Sequence, residues 1–199
     1  MTHPQDIKEL IECITLGGIG ILPTDTVYGL VAGAFKHDSV EQIYCLKKRE
    51  TSKPFVVLIS CVEDLKRFGI KISKTADCVL KKVWPGKVSV ILSCKQKRFF
   101  HLHRGNKTLA FRIPDDPKLI SLLKIIGPLA TTSANLSGQP VAKNIVEAKK
   151  YFGDQIDFYI KNGELTNSPS SIIEIKGKKV ILKRKGEYDI ENILKQCKI

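Results

Sequence analysis

At 199 residues, with 43 % hydrophobic and 27 % charged residues, the chain has the balance of a globular domain. Such a length buries about 70 % of the unfolded surface, so neither a disulfide nor a metal staple is needed. The formal net charge of +13 excludes an acidic, disordered solvating chain, but it leaves a nucleic-acid surface, a polyanionic substrate and a solubilising coat open.

The opening MTHPQDIKELIE is polar and then amphipathic, unlike a signal peptide, and no apolar run approaches the roughly 20 residues of a membrane span. The six scattered cysteines include no C-x-x-C pair, which predicts free thiols in a reducing compartment. A cytoplasmic protein without membrane contact is expected. DIKELIECITLGG spaces its apolar residues for an amphipathic helix stopped by Gly17-Gly18, and GIGILPT follows as a buried strand. Asp38 with Glu41 makes a capping-box-like start for the helix DSVEQIYCLKKR. PFVVLIS is a strand, SKTADCVLKKVWPG a helix ended by Pro85-Gly86, and KVSVILSC and TLAFRIP are strands. Asp116-Pro117 opens a helix through Ile126, with proline in the first turn. PLATTS is a short strand, VEAKKYF is helical, and SIIEIKGKKVILKR forms a hairpin turning at Gly177-Lys178. A last helix begins near Asp189. Strands and helices mix without strict alternation, which predicts one α/β domain over residues 1–199, with a twisted, open, mixed sheet and flanking helices.

The familiar nucleotide signatures are absent. Gly18-Ile19-Gly20 lacks the third glycine of the dinucleotide fingerprint, and Gly86-Lys87 has no upstream glycine at P-loop spacing. His101-Leu102-His103, set among arginines and lysines, makes a poor metal site, so no protein-held metal is expected. Any phosphate chemistry must use another cradle.

Five segments have the residue types for one. PTDTVYGL, Pro23 to Leu30, is a hydroxyl-dense turn after an apolar strand; it is either a capped strand end or a binding turn. Lys47, Arg49 and Lys53 lie close in sequence. They either favour a helix end or converge on a triphosphate, with the arginine gripping two oxygens and the lysines acting as point charges. Thr131 to Gly138 combines small side chains, hydroxyls and the Asn135 amide, suited to a polar turn or to close approach of a ligand. Arg112 interrupts the apolar LAFRIP, where burial without a partner is costly; it must reach solvent or meet a carboxylate. Ser168-Pro169-Ser170-Ser171 and Arg184-Lys185-Gly186 fall at the outer ends of the hairpin.

In this order the segments resemble the threonylcarbamoyl-AMP synthase family, whose catalytic unit is the YrdC-like domain. The matching elements are PTDTVYGL, Lys47-x-Arg49 with Lys53-Pro54, Trp84-Pro85-Gly86, Arg112-Ile113-Pro114, Thr132 to Gly138, Ser170-Ser171-Ile172 and Arg184-x-Gly186. The resemblance implies a basic groove in which L-threonine, bicarbonate and ATP with Mg2+ form threonylcarbamoyl-adenylate and pyrophosphate. The product would go to downstream threonylcarbamoyl-transfer proteins acting on adenosine 37 of tRNA. It implies Lys47, Arg49, Lys53, Ser133, Asn135 and Arg184 for ATP, with Lys47 and Arg49 catalytic in a solvated groove. It implies Thr26, Arg112 and Ser170 for threonine, with Thr24 and Tyr28 shaping that pocket. Four positions depart from the family pattern: Lys87 and Ser89 stand where proline and threonine are common, Ser171 where threonine is, and Leu58 where many members have histidine. The resemblance further implies a short form without an added C-terminal domain. Two other functions are weighed: an RNA-binding module, which low aromatic content and the lack of RNP-like or G-x-x-G motifs oppose, and a family paralogue with another substrate. Weak, salt-sensitive tRNA binding is expected from the lysine-rich surface.

Overall fold

The computed structural model describes residues 7–48, 50, 52–186 and 188. Arg49 and the helix expected near Asp189 lie outside the described residues. The elements in chain order are α1 (Ile7–Leu16), β1 (Gly20–Leu22), β2 (Gly29–Gly33), α2 (His37–Lys47), β3 (Val56–Leu58), α3 (Lys74–Val83), β4 (Val88–Ser93), α4 (Phe100–His103), β5 (Thr108–Arg112), α5 (Pro117–Ile126), β6 (Leu129–Ser133), α6 (Ile145–Phe152), β7 (Phe158–Tyr159), β8 (Ser171–Lys176) and β9 (Lys179–Arg184). Short 3-10 turns cover Val62–Phe68 and Lys97–Phe99.

Local chemistry sets most boundaries. Ser73 caps α3 by accepting from the Ala76 amide, and Asn144 caps α6 by accepting from the Glu147 amide. Asp116 accepts from the amides of Lys118 and Leu119 at the start of α5, with Pro117 next. The β8–β9 turn passes through Gly177 at φ 61°. One helix start differs from expectation. Lys36 occupies the N-cap position of α2 without a side-chain cap, so Asp38 and Glu41 form no capping box. Glu41 instead accepts from Arg104 at 2.8 Å, and Asp38 sits in the first turn, where the helix dipole favours a carboxylate.

The described strands form one mixed sheet in the order β7-β1-β2-β6-β3-β5-β4-β8-β9. Pairs β1–β7, β3–β5 and β4–β8 are parallel, and the other neighbours are antiparallel. The α/β class and the open mixed sheet are as the sequence predicts. Sequence patterning missed the short α4 and β7 as well as strand β2, where GLVAG is short, bears glycine at both ends and follows a turn-rich run, so its strand signal is weak.

Side-chain alternation divides the core. On one face, Leu22, Val31, Leu58 and Leu129 pack under α1 and α5. On the other, Leu30, Val57, Phe111 and Ala130 pack against residues of α2, α3, α4 and α6. The helices α1 and α5 cover only part of their face. The uncovered part, at the Gly29, Val56 and Ala110 end of the central strands, is where the candidate site opens.

Candidate active site

A cavity of about 350 Å³ lies on that open part of the sheet, within the range of small-molecule sites. Its floor comes from β2, β6, β3 and β5, and its walls from the turn after β1, from Lys53-Pro54-Phe55, and from the outer ends of β8 and β9.

The turn after β1 is organised by Thr24. Its hydroxyl accepts from the amides of Thr26 (3.1 Å) and Val27 (3.2 Å) and donates to the Val27 carbonyl (2.7 Å). Thr24 has one proton, and the Val27 carbonyl takes it. Thr26 is therefore the donor in the 3.0 Å Thr24–Thr26 hydroxyl contact, which fixes both side chains at the cavity wall. This turn leads directly into Gly29, where close approach requires glycine: a Cβ would come within 2.7 Å of the Thr131 hydroxyl.

Asp25, between the two threonines, reaches Arg112. The two side chains are 5 % and 4 % exposed, with Asp25 Oδ1 3.0 Å from Arg112 Nη1. The other carboxylate oxygen accepts from the Asp115 amide. The contact is one of charge rather than an aligned hydrogen bond, and Nε and Nη1 of Arg112 have no hydrogen-bond partner. Burial pushes the Arg112 guanidinium below its ordinary range, Asp25 opposes this, and nearby Arg184 adds to it. Arginine keeps its charge in such settings. The cavity wall thus carries a cation only partly compensated, with donors still available.

The opposite wall joins β8 to the end of β9. Arg184 donates through Nε (3.0 Å) and Nη2 (2.8 Å) to the Ser170 carbonyl, holding Ser170 in place. The Ser170 hydroxyl lies 2.9 Å from that of Ser89 in β4. Gly186 closes the arrangement by donating its amide to the Ser171 hydroxyl at 3.0 Å. A Cβ there would come within 2.6 Å of the Ser171 amide nitrogen and 2.7 Å of the Pro169 carbonyl.

At the third wall, α2 delivers Lys47. Its ammonium, in a residue 2 % exposed, donates to the Ser133 carbonyl (2.6 Å), the Asn135 carbonyl and Asn135 Oδ1 (3.1 Å). The Ser133 hydroxyl donates to the same Asn135 Oδ1 at 2.7 Å. Lys47, Ser133 and Asn135 form one cluster behind the cavity edge. Lys53 sits at the rim, its side chain 59 % exposed and paired with Glu50 at 3.1 Å. Arg112, Arg184 and Lys53 in the walls, with Asp25 already engaged, suit an anionic ligand.

Residues 12–186 match the family model of the Sua5/YciO/YrdC proteins, which is described as telomere recombination. The chain belongs to the Sua5/YciO/YrdC family. It is 38 % identical over 141 residues to the threonylcarbamoyl-AMP synthase of Bacillus subtilis, covering 70 % of this chain and 41 % of that protein. It is 29 % identical over 157 residues to the threonylcarbamoyl-AMP synthase of Coxiella burnetii, covering 78 % and 84 %. The crystal structure of Pyrococcus abyssi Sua5 complexed with L-threonine superimposes with a TM-score of 0.88 at 28 % identity. That match covers 95 % of this chain, which spans 56 % of the Pyrococcus protein.

Within this Sua5/YciO/YrdC domain, Thr24, Thr26, Lys53, Arg112, Ser133, Ser170 and Arg184 line one cavity. Three expectations need correction. Tyr28 does not shape the pocket: strand alternation turns it to the opposite face, where it is buried and donates to the Gly163 carbonyl at 2.9 Å. Lys47 does not face a solvated groove. Its stem crosses the core, and its charge is compensated by the oxygens of the Ser133–Asn135 loop. Asn135 likewise stands behind the wall rather than in it.

Sequence reasoning assigned no role in the site to Asp25, Ser89 or Thr131, although Asp25 and Thr131 lie within two of the segments it singled out. The demand of Arg112 for a carboxylate is a legible signal for Asp25, but sequence spacing does not say which acid supplies it. Leu58 pairs in register with Arg112 and packs under α1 and α5.

Among the described residues, no group of three or more His, Cys, Asp or Glu side chains could hold a metal. None of the described helices is long and apolar enough to cross a membrane.

Proposed function

We propose that the protein condenses L-threonine, bicarbonate and ATP into threonylcarbamoyl-AMP, as a nucleotidyltransferase supplying tRNA adenosine modification. The observation that carries this reading is Arg112, a buried guanidinium with undirected donors, in a wall that also carries the hydroxyls of Thr26 and Ser170. That combination suits an amino acid with a carboxylate and a hydroxyl. The likeness to a Sua5 protein complexed with L-threonine supports the choice of amino acid.

The threonine amine attacks the carbon of bicarbonate-derived carbon dioxide and loses a proton, giving a carbamate; water is the other product. A carbamate oxygen then attacks the α-phosphorus of ATP, the bond to the β-phosphate breaks, and pyrophosphate leaves. No side-chain nucleophile is required, so catalysis rests on positioning three anionic reactants and neutralising charge. Arg112 takes the threonine carboxylate as a planar fork, with Asp25 fixing its orientation. Arg184 and Ser133 border the nucleotide, and Lys53 and Arg49 supply further cationic charge for its phosphates. Lys47 acts through the Ser133–Asn135 loop as a positioning residue. Mg2+ enters on the ATP phosphates as part of the substrate, since magnesium favours phosphate and water oxygens over an all-protein cage.

Pyrophosphate release should require threonine and bicarbonate together. Serine, which lacks only the methyl group, should be about 10- to 200-fold poorer, the range for one missing methyl in a pocket. Equal turnover with many amino acids, or none with threonine, contradicts the assignment.

A further inference from the structure

Two hydroxyls meet where β4 passes the start of β8, and only one of them belongs to the cavity wall. Ser170 is 7 % exposed and lines the cavity, whereas Ser89 in β4 has none of its surface exposed. Ser89 lies two residues before Ile91 and pairs in register with Ile172, both of which line the cavity, so strand alternation turns its side chain to the same face of the sheet. There its hydroxyl stands 2.9 Å from that of Ser170.

The direction of that contact follows from counting protons. Each hydroxyl has one proton to give and two lone pairs to offer. Among the described residues, the Ser89 hydroxyl meets no hydrogen-bond partner other than Ser170. A buried O–H left without an acceptor is costly, so Ser89 is the donor and Ser170 the acceptor. Ser170 Oγ accepts a second time, from Arg184 Nη2 at 3.3 Å. The same guanidinium is fixed on the Ser170 carbonyl through Nε and Nη2, so it cannot turn away. Both lone pairs of Ser170 are thereby occupied, and the only hydrogen-bonding capacity it keeps for a ligand is its own proton. Thr26 has the opposite polarity, because its proton goes to Thr24 and its lone pairs remain. The cavity therefore offers one hydroxyl that donates and one that accepts.

We propose that Ser89 is a positioning residue of the synthesis site, holding the Ser170 hydroxyl as a donor to the amino-acid carboxylate that Arg112 takes. This role rests on the proposed synthesis of threonylcarbamoyl-AMP and adds to it a residue outside the cavity. A carboxylate only accepts hydrogen bonds, so a serine free to rotate would in some of its orientations turn a lone pair toward the anion. Ser89 removes those orientations before the substrate arrives. Arg184, which holds Ser170 from the other side, lies near enough to Arg112 for the two charges to interact, so the fixed donor and the arginine fork adjoin one another.

The test combines steady-state pyrophosphate release with thermal melting for wild type, Ser89→Ala, Ser170→Ala, the double variant and Ser89→Thr. Ser170→Ala should raise the KM for threonine about tenfold or more, the scale of losing a hydrogen bond to a charged group. Ser89→Ala should raise it about threefold, since three staggered orientations of the Ser170 hydroxyl open where one was held, with the KM for ATP within about twofold of wild type. In the Ser170→Ala background, adding Ser89→Ala should change the threonine KM by less than about 1.5-fold, because Ser89 acts only through Ser170. Ser89→Thr keeps the hydroxyl and should stay within about twofold of wild type; if its extra methyl unfolds the protein, the alanine variants decide. Melting reads the same wiring without substrate. Ser170→Ala strands the buried Ser89 hydroxyl, so the double variant should melt at a higher temperature than Ser170→Ala alone. An unchanged threonine KM in Ser89→Ala, an equal rise in both backgrounds, or a double variant that melts no higher than Ser170→Ala overturns the proposal. Wild-type protein that releases no pyrophosphate with threonine would instead contradict the synthase reading, and the melting comparison still decides whether Ser89 donates to Ser170.

Discussion

Arg112 is the residue on which the site turns. Its fork geometry predicts that Arg112→Lys raises the KM for threonine more than the KM for ATP, because a lysine cannot take a carboxylate bidentately. An unchanged threonine KM with a raised ATP KM would move Arg112 to the phosphates. Lys47 tests a different role. Removing its ammonium leaves the Ser133 and Asn135 oxygens without their donor, so Lys47→Ala should lower the melting temperature as well as pyrophosphate release. The activity loss should reach about a hundredfold, the scale of misplacing a binding loop by about 1 Å. Full thermal stability with lost activity would contradict the positioning role. Both residues could be singled out in sequence for sound reasons, a charge within an apolar strand and a cation at a helix end. Which oxygens they meet was not legible, because Asp25 and Asn135 lie 87 and 88 positions away along the chain.

Among the elements, those with strong local signals matched the expectation. α5 has its Asp116 cap and Pro117, and the β8–β9 hairpin turns at Gly177 as its patterning predicts. β2 escaped notice because its strand character comes from pairing with β1 and β6 rather than from its own residues. The short α4 makes a pH prediction. Burial pushes the His101 imidazole below its ordinary value; the Ala34 carbonyl, 3.0 Å away, opposes the shift and His37 adds to it. The unfolded chain, titrating near about pH 6.5, then binds more protons than the folded one over the window just below that value. His101 therefore contributes stability at neutral pH that is lost as the solution is acidified. Melting temperature should fall between about pH 7 and about pH 5 more steeply for wild type than for His101→Gln, with the difference vanishing above the window. Parallel pH profiles would contradict it.

At the scale of the whole molecule, one sheet separates two faces: one with a hydroxyl- and arginine-lined cavity left open by α1 and α5, and one packed against residues of α2, α3, α4 and α6. The order of the motifs along the chain was enough to name the family. Their convergence could not be read from spacing, since strands adjacent in the sheet, such as β4 and β8, are far apart in sequence. The central claim is that the cavity joins threonine, bicarbonate and ATP in one product. The most direct measurement is mass spectrometry of the products formed from ATP, L-threonine and isotopically labelled bicarbonate. The account predicts an AMP adduct carrying both threonine and the labelled carbon, in equal amount to the pyrophosphate released. An adenylate without the labelled carbon, or pyrophosphate released without any threonine adduct, would contradict it.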